Sequence, residues 1–97
     1  MNLRFTPRAV QDIAEIAEYI RQENPSAAER VRASILGSLE SLSQLPLIGR
    51  MQTRENIRKL VTPKYRYVIY YLVDTAMDEV VVLSVHHPSR ARLFEDR

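Results

Sequence analysis

The chain has 97 residues, 45% of them hydrophobic and 27% charged, with a formal net charge of +2. That length leaves no room for a second domain, and the lack of cysteine removes disulfides, thiolate nucleophiles and thiolate metal sites together. No apolar run approaches the roughly 18 residues needed to cross a bilayer, and the first seven residues hold no signal-peptide core, so the expectation is one cytoplasmic domain over residues 1–97.

Leu3 and Phe5 alternate at period two and predict a short first strand. Thr6 suits a helix N-cap and Pro7 the first helical position, where its missing N–H costs nothing. Val10, Ile13, Ile16, Ala17 and Ile20 then recur at helical spacing, with Asp12, Glu15 and Glu18 on the other flank. Asn24-Pro25 ends this helix, because the residue before proline is pushed out of the α region.

A second helix starts at once, capped either by Asn24 or by Ser26 with Glu29 closing a capping box. Ala28, Val31, Ile35, Leu39 and Leu42 form its apolar stripe, and Leu36 and Leu45 widen it. Gly37 costs about 1 kcal/mol against alanine inside a helix and would let another helix approach. The short link makes an antiparallel helical hairpin.

Pro46 ends the second helix, and residues 46–56 read as an irregular connection around Gly49. Three strands follow. Residues 57–61 precede a turn at Thr62-Pro63-Lys64. Residues 66–73 place Tyr67, Ile69, Tyr71 and Val73 on one face and Val68, Tyr70 and Leu72 on the other, as in a central strand. After a hairpin loop at 74–78, residues 79–86 form the last strand. By strict alternation His86 shares a face with Val80, Val82 and Ser84, and His87 lies opposite. The expected fold is α+β, ordered β-α-α-β-β-β, with the helical hairpin on one face of a three- or four-stranded, mainly antiparallel sheet.

Charge is unevenly placed. Residues 46–73 carry Arg50, Arg54, Arg58, Lys59, Lys64 and Arg66 against Glu55 alone, while both flanking segments are slightly acidic. Such a strip is either a solvated face or a docking site for an anionic partner. Arg66 lies in the strand predicted to be buried, and must there pair with an acid or open onto a groove. His86 and His87 can move protons near neutral pH, but a hydrogen-bonded place at a strand end is favoured. Adjacent strand histidines point apart, so no metal site is expected, and no cofactor is implied.

The element order and several local signatures together resemble the ParE/RelE superfamily of type II toxin–antitoxin toxins. The resemblance rests on Ala9–Ile16 with Tyr19-Ile20, on Asn24–Ala28, on Leu45–Arg50, on Arg58-Lys59-Leu60, on Tyr65–Tyr71 and on Val82–Arg90. The Pro-x-x-Gly-Arg element and the terminal His-x-x-Arg look more like the ParE branch. ParE-like proteins poison DNA gyrase by binding it, whereas RelE-like proteins are ribosome-dependent endoribonucleases. Both are silenced by an antitoxin. The ParE resemblance therefore implies no catalytic residues, a ParD-like antitoxin, gyrase as target, contact with DNA only through the antitoxin, and a higher-order toxin–antitoxin oligomer.

Cleaving RNA through a 2′-hydroxyl needs a base, an acid and cations for the phosphorane. In RelE-like enzymes lysines after the helices, an arginine in the central strand, and an arginine and a tyrosine near the C-terminus do this work. Arg66 matches the central arginine. Only Lys59 and Lys64 answer the lysines, Phe94 cannot transfer a proton, and Pro88 stands where arginine is favoured. The ribonuclease set is incomplete.

Target-binding candidates are thus His87, Arg90, Arg92 and Arg66, since Pro88 takes the tail out of the sheet. Antitoxin-binding candidates are Ile16, Ile20, Ile35 and Leu39, some of which are expected to stay partly exposed because two helices cannot both bury every apolar residue on one small sheet, together with Arg58. An unpaired sheet edge is expected to accept a partner strand.

Overall fold

A computed structural model describes residues 1–52 and 56–88. Strand β1 (Asn2–Phe5) leads into helix α1 (Pro7–Glu23) and helix α2 (Pro25–Gln44). Four strands follow: β2 (Arg50–Met51), β3 (Ile57–Val61), β4 (Val68–Asp74) and β5 (Glu79–His86). They form a mixed five-stranded sheet in the order β1-β5-β4-β3-β2, with β1 parallel to β5 and the other neighbours antiparallel. The α+β class and the helical hairpin are as read from the sequence. Strand β2 lies inside the connection that had been read as irregular.

Caps set both helix starts. The Thr6 hydroxyl accepts the Ala9 N–H at 3.1 Å, with Pro7 in the first turn. Asn24 closes α1 by donating its backbone N–H to Ile20 O at 2.7 Å and opens α2 by accepting the Ala27 N–H at 3.2 Å. Asn24, rather than Ser26, is therefore the cap of α2. Gly37 has nothing within 4 Å of the place a Cβ would occupy, so no helix approaches it.

Helices and sheet share one core. Ala9, Ile20, Val31, Ile35, Leu39 and Leu42 pack on Tyr67, Ile69, Tyr71, Val80, Val82 and Val85. Ile20, Ile35 and Leu39 are buried at 7%, 4% and 3% exposure, so the partial exposure expected of some of the four candidates falls on Ile16. The hairpin opens like a book onto the sheet, so the Ile20, Ile35 and Leu39 stripes face inward while Val10 and Leu36, one position round each helix, are the ones left outside. Ile16 alone of the four remains half-exposed.

A bulge reverses the expected parity of the last strand. Tyr70 pairs with Ser84 but Tyr71 with Val82, leaving Leu83 as an extra residue. Val80, Val82 and Val85 consequently face the helices. Ser84 and His86 turn to the opposite face with Tyr70, whose ring centroid lies 5.6 Å from that of His86. Strict alternation had put His86 with Val80 and Val82; the pairing with β4 overrules it.

Arg66 also departs from its predicted place. The strand begins at Val68, and Arg66 sits exposed in the preceding turn with φ 62°. Thr62 ties that turn, donating its N–H to Tyr67 O at 2.8 Å and accepting the Tyr67 N–H on its hydroxyl at 3.0 Å. The arginine never enters the apolar interior, so it needs neither a buried acid nor a groove.

Candidate functional site

The outer edge of β5 is filled by three different devices. Strand β1 pairs with residues Glu79 to Val82, and Arg4 Nε holds Glu79 Oε1 at 3.0 Å. Past the bulge, the Thr6 hydroxyl donates to Leu83 O at 2.7 Å. Beyond that, Asp12 Oδ2 accepts the Val85 N–H at 3.0 Å. Side chains from the start of α1 thus replace the missing neighbour strand. The opposite edge is β2, whose two residues pair only with Lys59 and Arg58. The sheet therefore ends in two short edge strands, β1 and β2, and these are its templates for strand addition.

Between α1 and the end of β5 lies a cavity of about 440 Å³. Asp12, Glu15, Ile16 and Tyr19 line it from the helix, and Tyr67, Val85, His86 and His87 from the sheet. The ring of His87 stands edge-on to Tyr67 at 5.7 Å between centroids. Burial pushes the Tyr67 phenol above its ordinary value, and the nearby Tyr19 phenol adds to it. Ile16 and His87, predicted separately as antitoxin and target contacts, therefore meet at one site.

Burial, the largest effect, holds His86 below its ordinary 6.5; Asp12 opposes and Arg8 adds to the depression. Its Nε2 is 3.0 Å from Ser84 Oγ, a hydrogen-bonded place of the kind favoured from sequence. The folded state thus prefers neutral His86. Its contribution to stability is complete above about pH 6.5 and is lost as pH falls below that toward the depressed value. Thermal melts of the wild type between pH 7 and pH 5 are expected to show this loss. His86→Gln, which can still bond Ser84, is expected to flatten that interval; an unchanged slope would assign the effect to other groups.

The second feature is the connection from α2 to β3. Tyr71 Oη accepts the Gly49 N–H and donates to Pro46 O, each at 2.8 Å. Arg58 Nη1 donates to Leu47 O at 3.2 Å and to Gly49 O at 2.8 Å. These contacts hold Leu45, Leu47, Ile48 and Met51 outward, all about half exposed or more. Arg58, predicted as an antitoxin contact, is half-buried and spends its guanidinium on this connection. Arg50, part of the basic strip, is exposed on β2.

The remaining candidates are dispersed. Lys64 sits in the turn with its Nζ 5.4 Å from the Tyr65 ring centroid, while Lys59 is on β3 opposite Tyr70. Arg90 and Arg92 lie outside the described residues. Among the described residues no group of histidines and acids could hold a metal ion, and no helix is long and apolar enough to cross a membrane. Sequence reasoning missed Asp12, Glu15 and Tyr19 as site residues. Their spacing of three and four places them on one face of α1, beside the apolar stripe, and that was the available signal.

A model of the ParE toxin of type II toxin–antitoxin systems (parDE) matches residues 3–92. The chain belongs to the ParE toxin family. It is similar to the Sinorhizobium fredii protein Y4kP, with 32% identity across 87% of this chain and 88% of that one. It is similar also to the toxin RelE2 of Caulobacter vibrioides, with 31% identity across 89% and 93%. The fold is shared with the chromosomal ParDE system of P. aeruginosa at a TM-score of 0.74 and 20% identity, over 90% of this chain and 95% of that one. This protein is a toxin of a type II toxin–antitoxin system.

Proposed function

We propose that the toxin inhibits DNA gyrase by binding it, without chemistry of its own, and is neutralised in the cytoplasm by a ParD-like antitoxin. The observation that carries this reading is the ParE family match over residues 3–92. The thin set of proton-transfer groups supports it: Lys59 and Lys64 are the only lysines of the chain, and the imidazole of His86 is engaged with Ser84 Oγ at 3.0 Å. Target contact is assigned to His87, Arg66, Arg90 and Arg92. The antitoxin meets the half-exposed face of α1 at Ile16 and the second sheet edge, and assembles with the toxin into a higher-order oligomer through which DNA is reached.

The likeness to RelE2 of Caulobacter vibrioides favours one rival reading, a ribosome-dependent mRNA endonuclease. Induction of the toxin without antitoxin separates the two. DNA breaks are expected to accumulate while mRNA stays intact, and the double variant Arg90→Ala, Arg92→Ala is expected to lose killing while keeping its melting temperature. Codon-specific mRNA cleavage that disappears in Arg66→Ala would replace gyrase with the ribosome as target.

A further inference from the structure

We propose that the cavity between α1 and the end of β5 receives an arginine side chain from a partner protein. Three kinds of wall meet there. Asp12 and Glu15 bring carboxylates, Tyr19, Tyr67 and His87 bring rings, and Ile16 and Val85 bring apolar surface. A guanidinium combines a planar face that stacks on aromatic rings with five N–H donors suited to carboxylates. An ammonium lacks the planar face, and a neutral side chain leaves the Glu15 carboxylate without a counter-charge.

Two unfilled positions identify the contacts. Tyr67 is only 7% exposed, yet no described residue hydrogen-bonds to its hydroxyl. Among the described residues no buried polar side-chain atom lacks a partner, so this hydroxyl reaches open space although the rest of the residue is enclosed, and the space it borders is the cavity. Glu15 is the available carboxylate: Gln11 Nε2 occupies its Oε2 at 2.8 Å, and its Oε1 carries no hydrogen bond among the described residues. Asp12 is already committed, to the Val85 N–H and to Arg8 at 3.7 Å. Arg8 is thereby held at Asp12 and leaves Glu15 to the incoming cation.

The mouth indicates the source of the arginine. Tyr19, 62% exposed, and exposed His87 leave the site open to the surface, so the side chain enters from a polypeptide lying across α1 rather than as an enclosed metabolite. The inference does not depend on whether gyrase or the ribosome is the target.

The test uses the full-length toxin and an acetylated, amidated tripeptide with arginine between two alanines. Ring resonances of Tyr19, Tyr67 and His87 are expected to shift and saturate on titration. The citrulline tripeptide, of the same shape but uncharged, is expected to bind about tenfold more weakly or less, as are Glu15→Gln and Tyr67→Phe with the arginine peptide. Both variants keep the size of the side chain, and an unchanged melting temperature verifies their fold. Free L-arginine, whose own carboxylate approaches Glu15, is expected to bind more weakly than the peptide. Equal binding of citrulline, absence of saturation, unchanged affinity in Glu15→Gln, or tighter binding of free arginine would each overturn the assignment.

Discussion

Gly49→Ala is expected to lower the melting temperature by roughly 10–20 °C, which for a domain of this size corresponds to about 2–3 kcal/mol. The cause is space, since no glycine of the chain has a positive φ. A Cβ at position 49 would lie 2.6 Å from Tyr71 Cε1 and nearer still to the phenol oxygen. The Tyr71 ring is fully buried and cannot swing aside. The connection must then lift away, and it loses the bonds of Tyr71 to Gly49 N and Pro46 O along with those of Arg58 to Leu47 O and Gly49 O. Tyr71→Phe keeps the ring and deletes only the hydroxyl, leaving one donor and one acceptor unpaired at a cost of about 1–3 kcal/mol. Combining the two changes is expected to cost less than their sum, because they break the same contacts. Chemical denaturation of the three variants measures this; a Gly49→Ala midpoint equal to wild type would refute the steric account.

Thr6→Ala is expected to cost about 2 kcal/mol, more than a surface threonine ordinarily carries. One hydroxyl serves two elements. It caps α1 by accepting the Ala9 N–H, and it satisfies the carbonyl of the bulged residue Leu83 by donating at 2.7 Å. Alanine leaves both groups without that partner and loosens the join between helix and last strand. Thr6→Ser retains the hydroxyl and is expected to stay within about 0.5 kcal/mol of wild type. Thr6→Val keeps the shape without the hydrogen bonds and is expected to fall with alanine. If valine matched serine, packing of the methyl group rather than hydrogen bonding would be the source of the effect. Amide exchange at Val85, just beyond the bulge, is expected to quicken in Thr6→Ala and not in Thr6→Ser.

Much of this molecule is legible along the chain. Thr6-Pro7 and Asn24-Pro25 mark the helix starts because capping and proline chemistry act within one turn. The third and fifth strands, Ile57–Val61 and Glu79–His86, have the bounds expected from the turn residues on either side of them. The two faces of β4 follow from alternation alone: Tyr67, Ile69, Tyr71 and Val73 belong to the main core, and Val68 and Tyr70 to a second cluster with Ile57, Val61 and Leu83. The family, too, was readable from spaced local signatures.

What stayed hidden depends on a partner strand or helix. Arg50–Met51 has no strand signal of its own; pairing with Arg58 and Lys59 makes it one. The bulge at Leu83 arises between β4 and β5, and no pattern within residues 79–86 announces that their parity changes there. It moves His86 away from Val80 and Val82 and leaves His87 against Tyr67. The same holds for the cavity, whose walls are eight residues drawn from a helix near one end of the chain and from strand ends near the other. Periodicity reports which residues of one element share a face. Which face meets which neighbour, and in what register, is settled by burial and hydrogen bonding between segments some 70 residues apart, as in the bond from Val85 to Asp12.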